Sequence, residues 1–290
     1  MKPTFIGIGA QKCASTWIYR ILMDHPQAWL SRPKELDFFS YYYGFGFQWY
    51  EEHFRGGSGS LAIGEISPSY LCDLAAPLRT YQYEPSMRII VCLRDPVDRL
   101  YSNHLHEIRI GHYEGKNLSV EAGLANNPMY IEQSRYATHL ERWLHWFQRE
   151  QMLFLLQEEI RESPEEQAKR IYQFLCIDPD HRSSFLFKRS NISRMARSNS
   201  IEYFIKKLGW LGRRFGLNGA VTRIRGNRIV ANIRMANTAP MYGTIPDMLP
   251  ETRVALHKEL AGEVIRLAEL LGRENFPWPT WDAVKGEKLA

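Results

Sequence analysis

The sequence has no apolar run of bilayer-spanning length, which excludes a chain built of membrane helices. Its opening Met1-Lys2-Pro3-Thr4 passes straight into a strand-like segment instead of a signal peptide, so the chain reads as soluble and cytoplasmic. Close cysteine pairs are missing too. Cys13, Cys72, Cys92 and Cys176 lie far apart, which excludes a disulfide scaffold and a short-spaced zinc site and leaves free thiols as the expectation. There is no internal repeat and no low-complexity tail. The net charge of +5 is modest, yet residues 194–234 carry ten Lys or Arg against the single acid Glu202. The basic excess is therefore local and calls for an anionic ligand or surface there, not a generally cationic protein that binds nucleic acid.

What is present suffices for a large core: 290 residues, 44% apolar and 13% aromatic, favour one domain over two small ones. Thr4 to Ile8 is a β-branched apolar run, followed by small residues and then by Thr16 to Met23, whose apolar spacing is helical. That helix stops near Asp24-His25-Pro26. Ser86 to Leu93 reads as a central strand, apolar on both faces. Asp95 and Pro96 then open a helix over 97–110, with Asp95 as its N-cap. Residues 138–149 place Leu140, Trp143, Leu144 and Phe147 on one helical face; Met152 to Leu156 is a further strand, and 164–175 a helix capped by Ser163. Strands alternating with helices predict an α/β fold, a parallel sheet covered on both faces. Residues 31–60, rich in aromatics and glycine, read as an irregular excursion, a substrate wall or lid. After about 185 the chain turns irregular and basic, and Pro250 to Leu271 is the last expected helix.

Gly9-Ala10-Gln11-Lys12-Cys13-Ala14-Ser15-Thr16-Trp17 lies between the first strand and the first helix, where backbone N–H groups and the positive helix end converge on one point. Lys12 adds a full charge, and Ser15 and Thr16 add hydroxyls. The loop lacks the Gly-Lys-Ser/Thr of a Walker A motif, since Gln11 precedes the lysine, which disfavours an ordinary kinase or GTPase. A phosphatase nucleophile at Cys13 would need an arginine at position 19, and Tyr19 stands there; Cys13 is read as a small loop residue whose thiolate the helix end favours. An uncommitted β–α turn is the bland alternative.

The loop resembles that of the sulfotransferases. Lys12-Cys13-Ala14-Ser15-Thr16-Trp17 is similar to the Lys-Ser-Gly-Thr-Thr-Trp signature of the cytosolic enzymes, and FIGIGAQKCAST to the loop of the heparan sulfate enzymes, with Ala14 in place of the usual glycine. Arg88 to His106 resembles the family's 3′-phosphate motif, which implies that Arg94 and Ser102 anchor that phosphate. The resemblance implies a P-loop-type parallel sheet flanked by helices. It also implies 3′-phosphoadenosine 5′-phosphosulfate (PAPS) as co-substrate and adenosine 3′,5′-bisphosphate as product, with no metal. Residues 11–17 would hold the phosphosulfate, and Trp17 either stacks on adenine or simply packs.

Gly64 to Leu71 resembles the heparan sulfate enzymes' Glu-Lys-Ser/Thr-Pro-x-Tyr segment, with Ile66 for the lysine, so Glu65 takes the general-base role by position, in a partly dry cleft. His104 and His106 are the competing bases. Lys34-Glu35-Leu36-Asp37-Phe38-Phe39 also resembles a family segment, and Lys34 contacts donor or substrate, or pairs at the surface. The likeness resumes at Ser134-x-Tyr136 and Trp143 and covers most of 4–178. Arg99 is as readily a surface ion pair, and Tyr101 is expected in the core. Further on, Arg197 and Ser198 resemble a nucleotide clamp of bacterial sulfotransferases, and 204–215 reads either as a basic-faced core helix or as a peripheral membrane contact. The resulting expectation is one domain, 1–290, with its core sheet in 4–178 and a basic, helical part over 185–290. It would transfer a sulfuryl group to a hydroxyl of a carbohydrate, glycolipid or small molecule. A nucleotide kinase and a non-catalytic module for anionic surfaces are the rivals.

Overall fold

The computed structural model describes residues 1–113, 118–188 and 245–288, with the backbone of 194–196 and 238–240. In chain order the principal elements are β1 (Phe5–Gly9), α1 (Ser15–Met23), β2 (Ala28–Leu30), α2 (Gly46–Glu52), β3 (Ala62–Ile66), α3 (Ala76–Tyr83), β4 (Arg88–Leu93) and α4 (Pro96–Ile110). There follow α5 (Val120–Asn126), α6 (Met129–Glu132), α7 (Tyr136–Leu144), β5 (Met152–Leu156), α8 (Gln157–Glu162), α9 (Pro164–Phe174), β6 (Arg194–Ala196) and β7 (Thr238–Pro240). The last two helices are α10 (Pro250–Leu271) and α11 (Pro279–Lys288).

Five strands form one sheet in the order β2-β3-β1-β4-β5, every pair parallel. Both β1 and β3 are buried along their whole length, and so is β4 after Arg88, as a sheet covered on both faces requires. The chain leaves β1, crosses to β2 and β3 on one side, and returns to β4 on the other. The carboxyl end of β1 is thus the switch point at which open α/β sheets bind ligands. Compactness divides the chain into two units, Met1–Asn103 with Leu124–Ser190 and Met248–Ala290, and His104–Gly123 with Asn191–Asp247. The sheet belongs to the first; β6 and β7, an antiparallel pair, belong to the second.

Several local expectations change. Residues 31–60 are more regular than their composition implies: Phe38–Tyr42 forms a wide helical turn and α2 follows it. Phe38, Phe39, Tyr50 and Phe54 are buried, Phe38 stacking on Tyr50 with ring centroids 4.4 Å apart, so four of the segment's ten aromatic residues are core. α7 stops at Leu144, because Arg149–Gln151 turns separately, under a reciprocal Gln148–Gln151 cap, to enter β5. Ser163 occupies the cap position of α9, but its side chain does not cap, and Pro164 at the first position opens that helix instead. α11 is an additional helix after α10; fully buried Trp278 precedes it and anchors it.

Asp95 caps α4 as its position suggests, its Oδ1 accepting from the Val97 and Asp98 amides at 2.9 and 3.0 Å. Its Oδ2 accepts from the amide and hydroxyl of Thr280 at 2.9 and 2.7 Å, tying the helix after β4 to the start of α11. Asp95→Ala removes the cap and leaves buried donors without partners. It should lower stability by about 3 kcal/mol, read by chemical denaturation.

Candidate active site

β1 ends at Gly9, whose φ is +142°; a Cβ there would come within 2.9 Å of Leu71 Cβ and 3.1 Å of the Pro68 carbonyl. Only glycine allows that approach. The close approach fastens the turn after β3 along β1: the Ser67 amide donates to the Gly7 carbonyl at 2.9 Å and the Leu71 amide to the Ile8 carbonyl at 2.8 Å. The loop that follows turns through left-handed backbone at Lys12 (φ 68°) and Ala14 (φ 60°). Such alternation gathers successive N–H groups into an anion-binding concavity, completed by the first turn of α1. The glycine usual at position 14 in the resembling loops is explained by this: Ala14 adopts a conformation that costs a residue with a Cβ roughly 1 kcal/mol.

Cys13 is fully buried, and desolvation pushes its thiol up to about 12, outweighing the pull of Arg99 and Arg94. The sequence-based expectation of a favoured thiolate is corrected accordingly: burial beats the helix end. Its sulfur lies 3.9 Å from the Tyr136 hydroxyl, which donates to the Arg94 carbonyl at 3.0 Å. Tyr136 therefore ties the loop after β1 to the end of β4. Trp17 is buried and its indole N–H donates to the Leu186 carbonyl at 3.0 Å, the packed alternative of its two readings.

The residues expected to form a second anchor, Arg94 and Ser102, follow β4. Arg94 is mostly buried and pairs with Asp98 at 3.6 Å, while Ser102, half-buried, stands one turn further along α4 on the same face as Asp98. Arg99 is no surface ion pair. It is fully buried, its guanidinium held by the Ser134 hydroxyl (2.7 Å), the Gln133 side chain (3.2 Å) and the Tyr130 carbonyl. All three acceptors are neutral, so its charge stays uncompensated by any of them and adds positive potential behind the loop. Tyr101 is half-buried and not a core residue.

Glu65, at the carboxyl end of β3, is fully buried instead of facing a partly dry cleft. The Tyr50 and Tyr70 hydroxyls donate to its Oε1 at 2.9 and 2.5 Å; the Ser67 hydroxyl and the Leu36 amide donate to Oε2 at 2.5 and 3.3 Å. Desolvation holds its carboxyl above the usual glutamate range despite these four donors. Ser67 and Tyr70 in turn accept from the Asp37 and Phe38 amides, so Glu65 and its hydroxyls clamp the segment 36–38. Lys34, just before it, pairs with Glu35, the ion-pair reading of this lysine, and also donates to the Ser15 hydroxyl at 3.5 Å, so the segment meets the loop. Asp37, only half-buried, accepts from Ser69 at 2.6 Å, and burial raises its carboxyl above the usual range.

His104 and His106 lie on the part of α4 assigned to the second unit. His104 is buried with its Nε2 3.0 Å from the Leu118 carbonyl, and desolvation lowers its pKa; His106 Nδ1 lies 2.7 Å from the Arg109 guanidinium. Arg197, Ser198 and 204–215 lie outside the described residues. That Tyr50 and Asp37 meet the Glu65–Tyr70 segment was not legible, because nothing in their local spacing marks which distant group they contact.

A family profile described as Sulfotransferase domain matches residues 2–203. The chain belongs to the sulfotransferase family. Among curated relatives, human bifunctional heparan sulfate N-deacetylase/N-sulfotransferase 2 is 29% identical over 298 residues, 96% of this chain and 30% of that protein. The membrane-associated sulfotransferase kil1 of Dictyostelium discoideum is 33% identical over 110 residues, 37% of this chain and 23% of that one. The chain thus spans about 30% of the length of the heparan sulfate relative. A solved sulfotransferase from Alicyclobacillus acidocaldarius shares the fold with a TM-score of 0.69 and 22% identity, covering 95% of this chain and 98% of its own. The P-loop-type α/β architecture expected from the sequence is therefore that of this enzyme family.

Two outcomes check the loop. Ala14→Gly should be neutral or stabilising by up to about 1 kcal/mol in thermal or chemical denaturation. With alkylating reagent at neutral pH, peptide mass spectrometry should find exposed Cys176 modified and Cys13 untouched until the protein unfolds.

Proposed function

We propose that the enzyme transfers the sulfuryl group of PAPS to an acceptor nucleophile, with the 5′-phosphosulfate in the loop 11–17 and the 3′-phosphate at Arg94 and Ser102. The observation that carries this reading is the convergence of both anion-binding segments at the carboxyl ends of neighbouring strands, tied together through Tyr136. Lys12 and the loop amides would stabilise charge building on the departing phosphate oxygen, and Lys34 beside Ser15 would add a second cation. Anchoring the nucleotide at both ends positions the sulfur for in-line attack.

Glu65 is our choice of proton acceptor. It stands two residues before the Ser67 turn that lies along β1, and its raised pKa suits a base that must take a proton near neutrality. Its oxygens are covered by hydroxyls, so a proton arrives through Ser67 or Tyr70, or after the segment 36–38 lifts. Asp37 is the second choice, favoured by its exposure and its place three residues after Lys34.

For the acceptor we favour a carbohydrate. The names of the relatives suggest it, with an amine as well as a hydroxyl as acceptor group. The outer half of the aromatic segment supports it: Tyr41 and Phe45 are exposed, and Tyr42 stacks on Phe45 with centroids 5.6 Å apart and planes 9° from parallel. Such a ledge offers ring faces on which the C–H face of a sugar packs.

Calorimetry should give binding of adenosine 3′,5′-bisphosphate well ahead of ATP; a preference for ATP, or no nucleotide binding, sinks the proposal. In a labelled-donor assay over a saccharide panel, Glu65→Gln should lower kcat by about 10²- to 10⁴-fold. Activity should fall as the medium is acidified through the base's pKa, and the raised value puts that fall above the pH of an ordinary glutamate. Should Asp37→Asn, and not Glu65→Gln, abolish that acidic limb, Asp37 is the base.

A further inference from the structure

Asp98 stands between two arginines that are far apart in sequence. Its Oδ2 lies 3.6 Å from the Arg94 guanidinium, and its Oδ1 accepts from Arg253 at 3.0 Å. Arg253 comes from the first turn of α10, more than a hundred residues from the β4–α4 segment, and neither anion-binding motif points to it. Its side chain is 36% exposed and that of Asp98 35%, so the cluster opens to solvent. The Arg94 Nε–H is buried and has no acceptor among the described residues. Ser102 lies one turn from Asp98, four residues along α4.

The neighbourhood of Asp98 thus holds two guanidinium ions, one of them with an unused buried N–H, and a hydroxyl one helical turn away, against a single carboxylate. With Asp98 in place one of the two positive charges stays unbalanced, and a phosphate supplies both the negative charge and the acceptor oxygens that the remaining donors lack. We infer that Arg253 is a third ligand of the donor's 3′-phosphate, and that Asp98 holds the two arginines in place as an internal counter-ion. The assignment rests on the proposed placement of that phosphate at Arg94 and Ser102. It gives α10 a function beyond packing: discrimination between nucleotides with and without a 3′-phosphate.

The test compares adenosine 3′,5′-bisphosphate with adenosine 5′-monophosphate, using the full chain, by calorimetry at fixed salt. In the wild type the bisphosphate should bind more tightly. Arg253→Gln should weaken the bisphosphate by about 10- to 100-fold and leave the monophosphate within about twofold, since the lost contact is a charge-assisted hydrogen bond to the 3′-phosphate alone. Arg253→Lys, which keeps the charge but not the fork, should recover part of the preference, and it also serves if the glutamine variant does not fold by thermal denaturation. An unchanged ratio in Arg253→Gln, together with a collapsed one in Arg94→Gln, overturns the role of Arg253 and spares the phosphate site. A wild type indifferent to the 3′-phosphate overturns the phosphate site itself.

Discussion

The site depends on β1 being paired in parallel with β3 on one side and β4 on the other. Parallel pairing puts the carboxyl ends of all three strands on one edge, so that the loop after Gly9, the Glu65 segment and Arg94 emerge together. Register then sets their depths: Ile6 pairs with Glu65 and Gly9 with Val91. Gly9 is the residue that makes the first junction tight, because the turn at 67–71 occupies the space where its side chain would be.

Around that edge the chain buries polar groups that would be costly alone and makes each hold a neighbour in place. Glu65 gathers three hydroxyls and an amide, and two of those hydroxyls pass the restraint on to the backbone of 36–38. Asp95 closes α4 and α11 with one carboxylate. Arg99 fastens α4 to the segment 130–134 through neutral acceptors, so its charge is left to act on the loop behind which it lies. Buried networks of this kind rigidify a site only when every member is satisfied, and these largely are.

Motifs confined to one strand–loop–helix unit were legible in the chain: β1 with its loop and α1, β4 with Arg94, Asp95 and α4, and the α/β alternation itself. Each has a local cause, such as apolar periodicity, a cap or a proline, within a few residues of its effect. Ionisation and exposure were not legible. Cys13 looks like a thiolate beside a helix end, but sits where no water reaches it; Glu65 looks like a residue of a cleft, but is covered by Tyr50 from a segment that reads as irregular. Arg99, three residues before Ser102, reads as solvated until the segment 130–134 closes over it.

The sequence by itself determined the α/β alternation, the strand–loop–helix units around Lys12 and Arg94, and the family to which the chain belongs. Tertiary structure alone decided which carboxylates are covered and which face solvent, and which arginine from a distant helix meets Asp98. The reason is physical: backbone conformation follows from near neighbours, whereas desolvation and ion pairing follow from whatever the fold brings alongside.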